Sequence, residues 1–437
     1  MRKAATALIA CTAIAVQAIN PIVPPGMFMA DPSGHVWQDG KLYVYGSRDE
    51  SPKYYCSTRY DVLSTSDLEN WTIHRDAFAS KGKGDEVGYS DAILAAPDCH
   101  YKDGKYYMFY CLDIPTDNEG VAVGNTPYGP FKGGVKIEGA NQIDPAVFTD
   151  DDGTSYLYWG QFTAKVAKLN PDMKSLDMKS YRDSIITEDE HHFHEGIQMI
   201  KINGLYYLVY AHIGRHGMAT SIGYSVGKTP YGPFKYGGVI VDNFGCDPNV
   251  WNNHGSIVKF NGKWYVMYHR ATHGCVTMRK ACIEPITINP DGSINEVEMT
   301  TQGASAPLNP FERMDAARAC QLTGTVRVEL ESPSNEWLTK ISNLNTAAYK
   351  YFDFNRSPKK ISMRITPGAG GKIIVFANNL CRPVLATIDV PKGNGKDAIT
   401  ITESISGTIN GIHPIYFRFI GKEGCDNLYN IDWFEFK

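Results

Sequence analysis

Apolar and polar positions along this chain alternate with a period of two, in short runs broken by Gly, Asp and Asn. That period belongs to strands rather than helices, and helical spacing is nearly absent. Five runs share one signature, a Gly-containing turn followed by an aromatic-rich strand. They are Gly40-Lys41-Leu42-Tyr43-Val44-Tyr45, Gly104-Lys105-Tyr106-Tyr107-Met108-Phe109-Tyr110, Gly153-Thr154-Ser155-Tyr156-Leu157-Tyr158, Gly204-Leu205-Tyr206-Tyr207-Leu208-Val209-Tyr210 and Gly262-Lys263-Trp264-Tyr265-Val266-Met267-Tyr268. Asp-Gly or Asn-Gly opens these hairpins, the dipeptides that two-residue turns select. The glycines lie 64, 49, 51 and 58 residues apart. A period near 50 suits a four-stranded propeller blade. The heptapeptide TPYGPFK occurs at 126–132 and again at 229–235, two blades later.

The repeat stops after Tyr268. Residues 304–310 carry two prolines and read as a linker, and from about Arg313 a different set of short strands begins, among them 325–330, 360–365, 371–377 and 431–436. The predicted fold is all-β: a five-bladed β-propeller over 19–303, a linker over 304–312, and a jelly-roll-like β-sandwich over 313–437. Because the repeats and the acids discussed below precede the linker, cleavage near Pro307 is expected to spare hydrolysis of small substrates.

Residues 1–18 read as an export signal. Arg2 and Lys3 are followed by an apolar stretch, and Val16-Gln17-Ala18 ends in small residues. A periplasmic or extracellular location follows, with lipidation at Cys11 the lesser alternative. No apolar run is long enough to span a membrane. The formal net charge of −4 argues against a nucleic-acid partner, which needs a clustered basic surface. The aromatic fraction of 12% suits sugar binding and strand formation equally. Ten cysteines without a CxxC pair point away from structural zinc and leave disulfides and buried thiols both open.

A propeller brings loops from every blade to one central pocket, so acids far apart in sequence can converge. Asp31 precedes the first blade strand in Ala30-Asp31-Pro32-Ser33. Asp144 sits among apolar residues in Ile143-Asp144-Pro145-Ala146, and Glu195 lies in His194-Glu195-Gly196 ahead of an apolar strand. Singly, each has an ordinary reading, since Asp-Pro is a common turn dipeptide. Asp247-Pro248 reads as structural or substrate-lining, and Asp150-Asp151-Asp152-Gly153 as a surface hairpin turn. Together, the three acids at blade starts point to acid–base chemistry.

These pieces resemble glycoside hydrolase family 43, in order over residues 20–310. The resemblance is carried by the three motifs above, by Ala96-Pro97-Asp98 and Asp151-Asp152-Gly153-Thr154, and by His254-Gly255-Ser256-Ile257 followed by Trp264-Tyr265 and Tyr268-His269-Arg270. It implies an inverting exo-hydrolase with Asp31 as general base, Glu195 as general acid and Asp144 tuning and orienting the acid. It also implies that Arg270 contacts the sugar and that His254 lies at the centre, often beside a cation such as Ca²⁺, with no cofactor required for the chemistry. Asp98 and Trp159 complete the substrate-binding candidates. Ala95 stands where many members have Trp, and Ile197 replaces the common Pro. Inversion requires two carboxyl groups ~6.5–9.5 Å apart, one protonated and one activating water. The C-terminal region resembles a family 6 carbohydrate-binding module, through 412–417 and 428–436, although no clear pair of exposed Trp stands out. The expected substrate is an oligo- or polysaccharide from plant material, with α-L-arabinofuranose the sugar released. A β-D-xylosidase, a β-galactan-active hydrolase and a non-catalytic propeller lectin are the alternatives. The lectin is disfavoured because binding alone needs no acid–base pair.

Overall fold

The structure, a computed structural model, describes residues 11–14, 19–116 and 118–437. Four antiparallel blades of at least four strands and a three-stranded fifth follow one another along the chain. Blade 1 is built from Met29–Val36, Leu42–Arg48, Arg59–Thr65 and Trp71–Ala79, and blade 2 from Leu94–Lys102 to Lys132–Lys136. Blade 3 runs from Ala146–Thr149 to Leu176–Arg182, and blade 4 from Phe193–Ile202 to Lys235–Asp242. Blade 5 has Ser256–Phe260, Lys263–Thr272 and Cys275–Ile286. Most of the segment read as an export signal lies outside the described residues. Within it, Cys11–Ile14 pairs antiparallel with Trp71 to His74 at the outer edge of blade 1.

Alternation along each strand explains the ring. Tyr43 and Tyr45 pack towards blade 2 with Met108 and Tyr110, while Leu42 and Val44 pack the other way, towards blade 5, with Val258 and Met267. Phe109 and Val121 meet Leu157 and Trp159 between blades 2 and 3. Tyr158 and Val166 meet Ile197 and Leu208 between blades 3 and 4, and Tyr207 and Val209 meet Ile257 and Val266 between blades 4 and 5. Both faces of every blade are thus buried, and the fifth apolar layer, between blades 5 and 1, closes the circle. The hairpins Asp103-Gly104, Asn203-Gly204 and Asn261-Gly262 place both central residues at positive φ, as type I′ turns demand. The repeated heptapeptide holds blades together in pairs: Tyr45 of blade 1 donates to the Pro127 carbonyl at 2.6 Å, and Tyr158 of blade 3 donates to that of Pro230 at 2.9 Å.

The edge of the short fifth blade is covered by the chain's own beginning. The amide of Ile22 donates to Ala281 O at 2.9 Å, and the Asn20 side chain accepts from Ile283 N at 2.8 Å.

The C-terminal part is a β-sandwich. One sheet centres on Tyr429–Phe436 and Lys360–Pro367, the other on Thr346–Phe354 and Gly411–Ile420, and aromatic side chains such as Tyr349, Phe417 and Phe434 fill the space between. Ile19 is buried in this second core. Arg318 donates to the carbonyls of Ile19 and Pro21 at 3.3 and 3.1 Å, and Leu322 N donates to Gly245 O at 2.8 Å. An interface threaded by the N-terminal stretch therefore joins the two parts on either side of Pro307. The nine cysteines from Cys56 to Cys425 are free thiols, six of them buried.

Candidate active site

Strand starts converge on one end of the propeller channel, and there the innermost strands depart from regular pairing. In blade 1 the register shifts between Ala30 and Ser33, with Asp31 at φ 53°. In blade 2 it shifts between Ala95 and Asp98, with Ala96 at φ 35°. Asp144 has φ 64° just ahead of the first strand of blade 3. In blade 4 the register shifts on both sides of Glu195. Such bulges turn a side chain out of the blade and into the channel, and non-glycine residues at positive φ cluster at functional sites.

Asp31, Asp144, Glu195 and His254 line a single cavity of about 440 Å³, a size suited to a small sugar. Asp31 is buried. Its Oδ1 accepts from Arg279 Nη1 at 2.9 Å, its Oδ2 accepts from Ser47 Oγ at 2.6 Å, and its backbone N–H donates to His269 Nδ1 at 3.2 Å. Burial opposes the charge on Asp31, but Arg279, His254, His269 and the Ser47 hydroxyl together outweigh it and hold the carboxyl down to about 2. Asp144 is pushed the other way. Burial raises it well above the carboxylate range, and repulsion from Glu195, Asp31 and Glu119 adds to the effect. Glu195 is partly exposed and accepts from Gln161 Nε2 at 2.9 Å. His254 Nδ1 stands 3.7 Å from Asp31 and 3.9 Å from Asp144, and burial lowers its proton affinity, so the ring is neutral near pH 7. The cavity thus holds one carboxylate, Asp31, fixed in its charged form and a second carboxyl group, Asp144, whose ionisation is opposed. That asymmetry is what acid–base cleavage needs.

Several expected contacts fall elsewhere. Arg270 is buried away from the cavity: it donates to Tyr268 Oη at 2.7 Å and Thr300 O at 2.5 Å and pairs with Glu284 at 3.4 Å. The arginine of the site is Arg279, on the next strand of the same hairpin. Trp159 is fully buried between blades 2 and 3, its Nε1 donating to Asn141 O at 3.2 Å, so it is core rather than a sugar platform. Asp98 lies outside the cavity lining and joins three blades, accepting from Ser33 Oγ at 2.8 Å and Val147 N at 2.7 Å and meeting His35 Nε2 at 2.6 Å. His254 does line the cavity, but the cation expected beside it lacks a cage. Asp31 is already committed to Arg279 and Ser47, and among the described residues no group of three or more His, Cys, Asp or Glu is placed to hold a metal ion.

Arg279, Tyr55, Gln161 and Trp251 also line the cavity and were not singled out in the sequence. Arg279 had a signal: with Lys280 it interrupts a mainly apolar strand, and charges there need buried partners.

Comparison with known proteins fits this geometry. The sequence profile of glycosyl hydrolases family 43 matches residues 18–294, and that of the family 6 carbohydrate binding module matches 315–437. A xylosidase/arabinosidase of Thermoclostridium stercorarium is 30% identical over 93% of this chain and 97% of its own length. An arabinoxylan arabinofuranohydrolase of Bacillus subtilis (strain 168) is 28% identical over 95% of this chain and 92% of its own. The crystal structure of a family 43 arabinoxylan arabinofuranohydrolase from Bacillus subtilis in complex with cellotetraose matches with a TM-score of 0.55 at 27% identity, covering 97% of this chain and 99% of that one. A β-xylosidase/α-arabinofuranosidase from a compost metagenome, in complex with xylotriose, matches with a TM-score of 0.56 at 31% identity, covering 66% of this chain and 99% of that one.

Proposed function

Because this chain belongs to glycoside hydrolase family 43 and is a glycoside hydrolase, we propose that it releases terminal α-L-arabinofuranose from arabinose-substituted plant polysaccharide, with inversion at the anomeric carbon. The observation that carries the proposal is the convergence of Asp31, Asp144 and Glu195, from three blades, on one sugar-sized cavity. Asp31, charged and held by Arg279, accepts a proton from the attacking water. Glu195 protonates the departing oxygen. Asp144 orients the acid, and repulsion between the two carboxyl groups keeps a proton on the pair, while neutral His254 spaces the two sides. The choice of arabinofuranose rests on relatives named arabinoxylan arabinofuranohydrolase that span both domains of this chain. The name xylosidase/arabinosidase on a relative of similar reach favours β-D-xylose as the second reading.

A panel of aryl-glycosides, run beside Glu195→Gln, tests the sugar. Activity on the arabinofuranoside above the xyloside is expected, and the reverse order selects the second reading. Proton NMR of the first product should show the anomer opposite to the substrate; retention would overturn the base role of Asp31. A polysaccharide substrate also favours export through residues 1–18, which N-terminal sequencing of the mature protein checks.

A further inference from the structure

Glu336 lies in the sandwich strand Asn335–Thr339, yet its carboxylate is buried against the propeller. Its oxygens accept from Lys280 Nζ at 2.6 and 2.7 Å, and Oε1 also accepts from the backbone N–H of Gly26 at 3.1 Å. The His273 ring stands 3.9 Å from the same Oε1. Lys280 in turn sits over the Phe28 ring at 5.3 Å.

Both segments gripped in this way lead directly to the cavity. Gly26 and Phe28 precede Asp31 by five and three residues in the chain. Lys280 follows Arg279, and on a strand the two side chains point to opposite faces. Lys280 therefore turns out to the sandwich, while Arg279 turns in to Asp31 at 2.9 Å. Asp49 steadies the same guanidinium from blade 1, at 2.8 and 2.9 Å.

We propose that Glu336 is a positioning residue for the catalytic site: a carboxylate of the second domain that clamps the two segments carrying Asp31 and Arg279, and so fixes the contact between them. The sandwich is then a working part of the hydrolase even on substrates too small to reach it. This rests on the reading of Asp31 as the base.

The groups facing Asp31 are Arg279, His254, His269 and Ser47, with Asp144, Tyr55 and Cys56 also close enough to act on its charge or feel it. Of these, Arg279 is the strongest in favour of the charged form, so loosening it raises the affinity of Asp31 for a proton.

The test is Glu336→Gln in the full chain. The acidic limb of kcat/KM on an activated aryl-glycoside is expected to move up by at least about one pH unit, a tenfold change in proton affinity. KM should change less than twofold, and the loss should be equal on good and poor leaving groups. Infrared difference spectra against Asp31→Asn follow the same carboxyl without turnover, so the clamp can be judged even if the wild type hydrolyses none of the glycosides offered. That inactivity would sink the function reading instead. If Glu336→Gln does not fold, Glu336→Asp keeps the charge and shortens the clamp, and a smaller shift in the same direction is expected. A folded variant with lowered Tm but an unmoved limb and unmoved Asp31 band makes Glu336 a brace between domains only, and overturns the proposal.

Discussion

Two buried aspartates of one cavity are driven in opposite directions, which fits the proposed roles of Asp31 as base and of Asp144 as companion to the acid Glu195. Glu195→Gln should lose ~10²–10⁴ in rate on substrates with poor leaving groups and much less on activated aryl-glycosides, which depart with little protonation. Asp31→Asn should lose equally on both, because water must be activated either way. Steady-state kinetics on a leaving-group series reads both, and equal losses for Glu195→Gln move the acid role to another group. Asp144 makes a separate prediction about stability. Burial, then Glu195 and Asp31, raise its folded-state proton affinity above the unfolded value. Its favourable contribution is therefore complete below the unfolded pKa of ~3.9 and is lost as pH rises through the raised value. Asp144→Asn escapes that loss, so its Tm should climb relative to wild type between pH 5 and pH 8 while its activity falls; a constant Tm difference across that range refutes this. Asp31 and Asp144 were legible because Asp-Pro among apolar residues at two blade starts is hard to explain by turns alone. Arg270 misled because a hairpin sequence does not tell which strand turns its arginine inward. Its guanidinium faces Glu284 and Thr300, and Arg279 faces Asp31.

At the scale of the element, each innermost strand is regular along its length and irregular where it meets the cavity. Gly196 shows how tight that transition is. It has φ 61°, and a Cβ there would stand 2.6 Å from the His254 ring. Gly196→Ala should cost ~1–2 kcal/mol in backbone strain and also displace His254 from between Asp31 and Asp144. A fall in kcat/KM on the order of 10²-fold is expected. Gly153, at φ 82° with nothing within 4 Å of such a Cβ, supplies the control. Gly153→Ala should lower Tm with kcat/KM unchanged, and similar activity losses in the two variants would show that strain alone is responsible. The blade strands were legible from alternation plus aromatic content, since both faces are buried and Tyr rings fill the wide gaps between blades. The bulges were not, because a residue at positive φ leaves no mark in the pattern unless it is glycine. Trp159 was misjudged for a related reason: alternation puts it on the same face as Leu157, towards blade 2, a placement that only the finished ring defines.

The molecule as a whole is less divisible than its two sequence patterns suggest. A chain ending at residue 303 leaves Ile19 without its core and opens Lys280 to water without Glu336. Exposing one buried apolar side chain costs ~1.5–3 kcal/mol. For a domain of this size that corresponds to a drop in Tm on the order of 5–10 °C. Calorimetry of 19–303 against the full chain measures it, and two Tm values within a few degrees would show that the propeller stands alone. The sandwich was legible as a separate strand pattern, but its grip on the propeller was not, because the contacts join residues about 300 positions apart, as between Arg318 and Ile19. The pairing of Asn20 and Ile22 with 281–283 has a consequence for the order of events in making the protein. During synthesis these residues emerge some 260 positions ahead of their partners. At ~5–20 residues per second they wait on the order of tens of seconds with no edge to join. Four blades can stack in that time, but the ring stays open, with the apolar faces of blades 1 and 5 unmet. A newly made chain therefore remains unable to lock its ring until its last blade arrives.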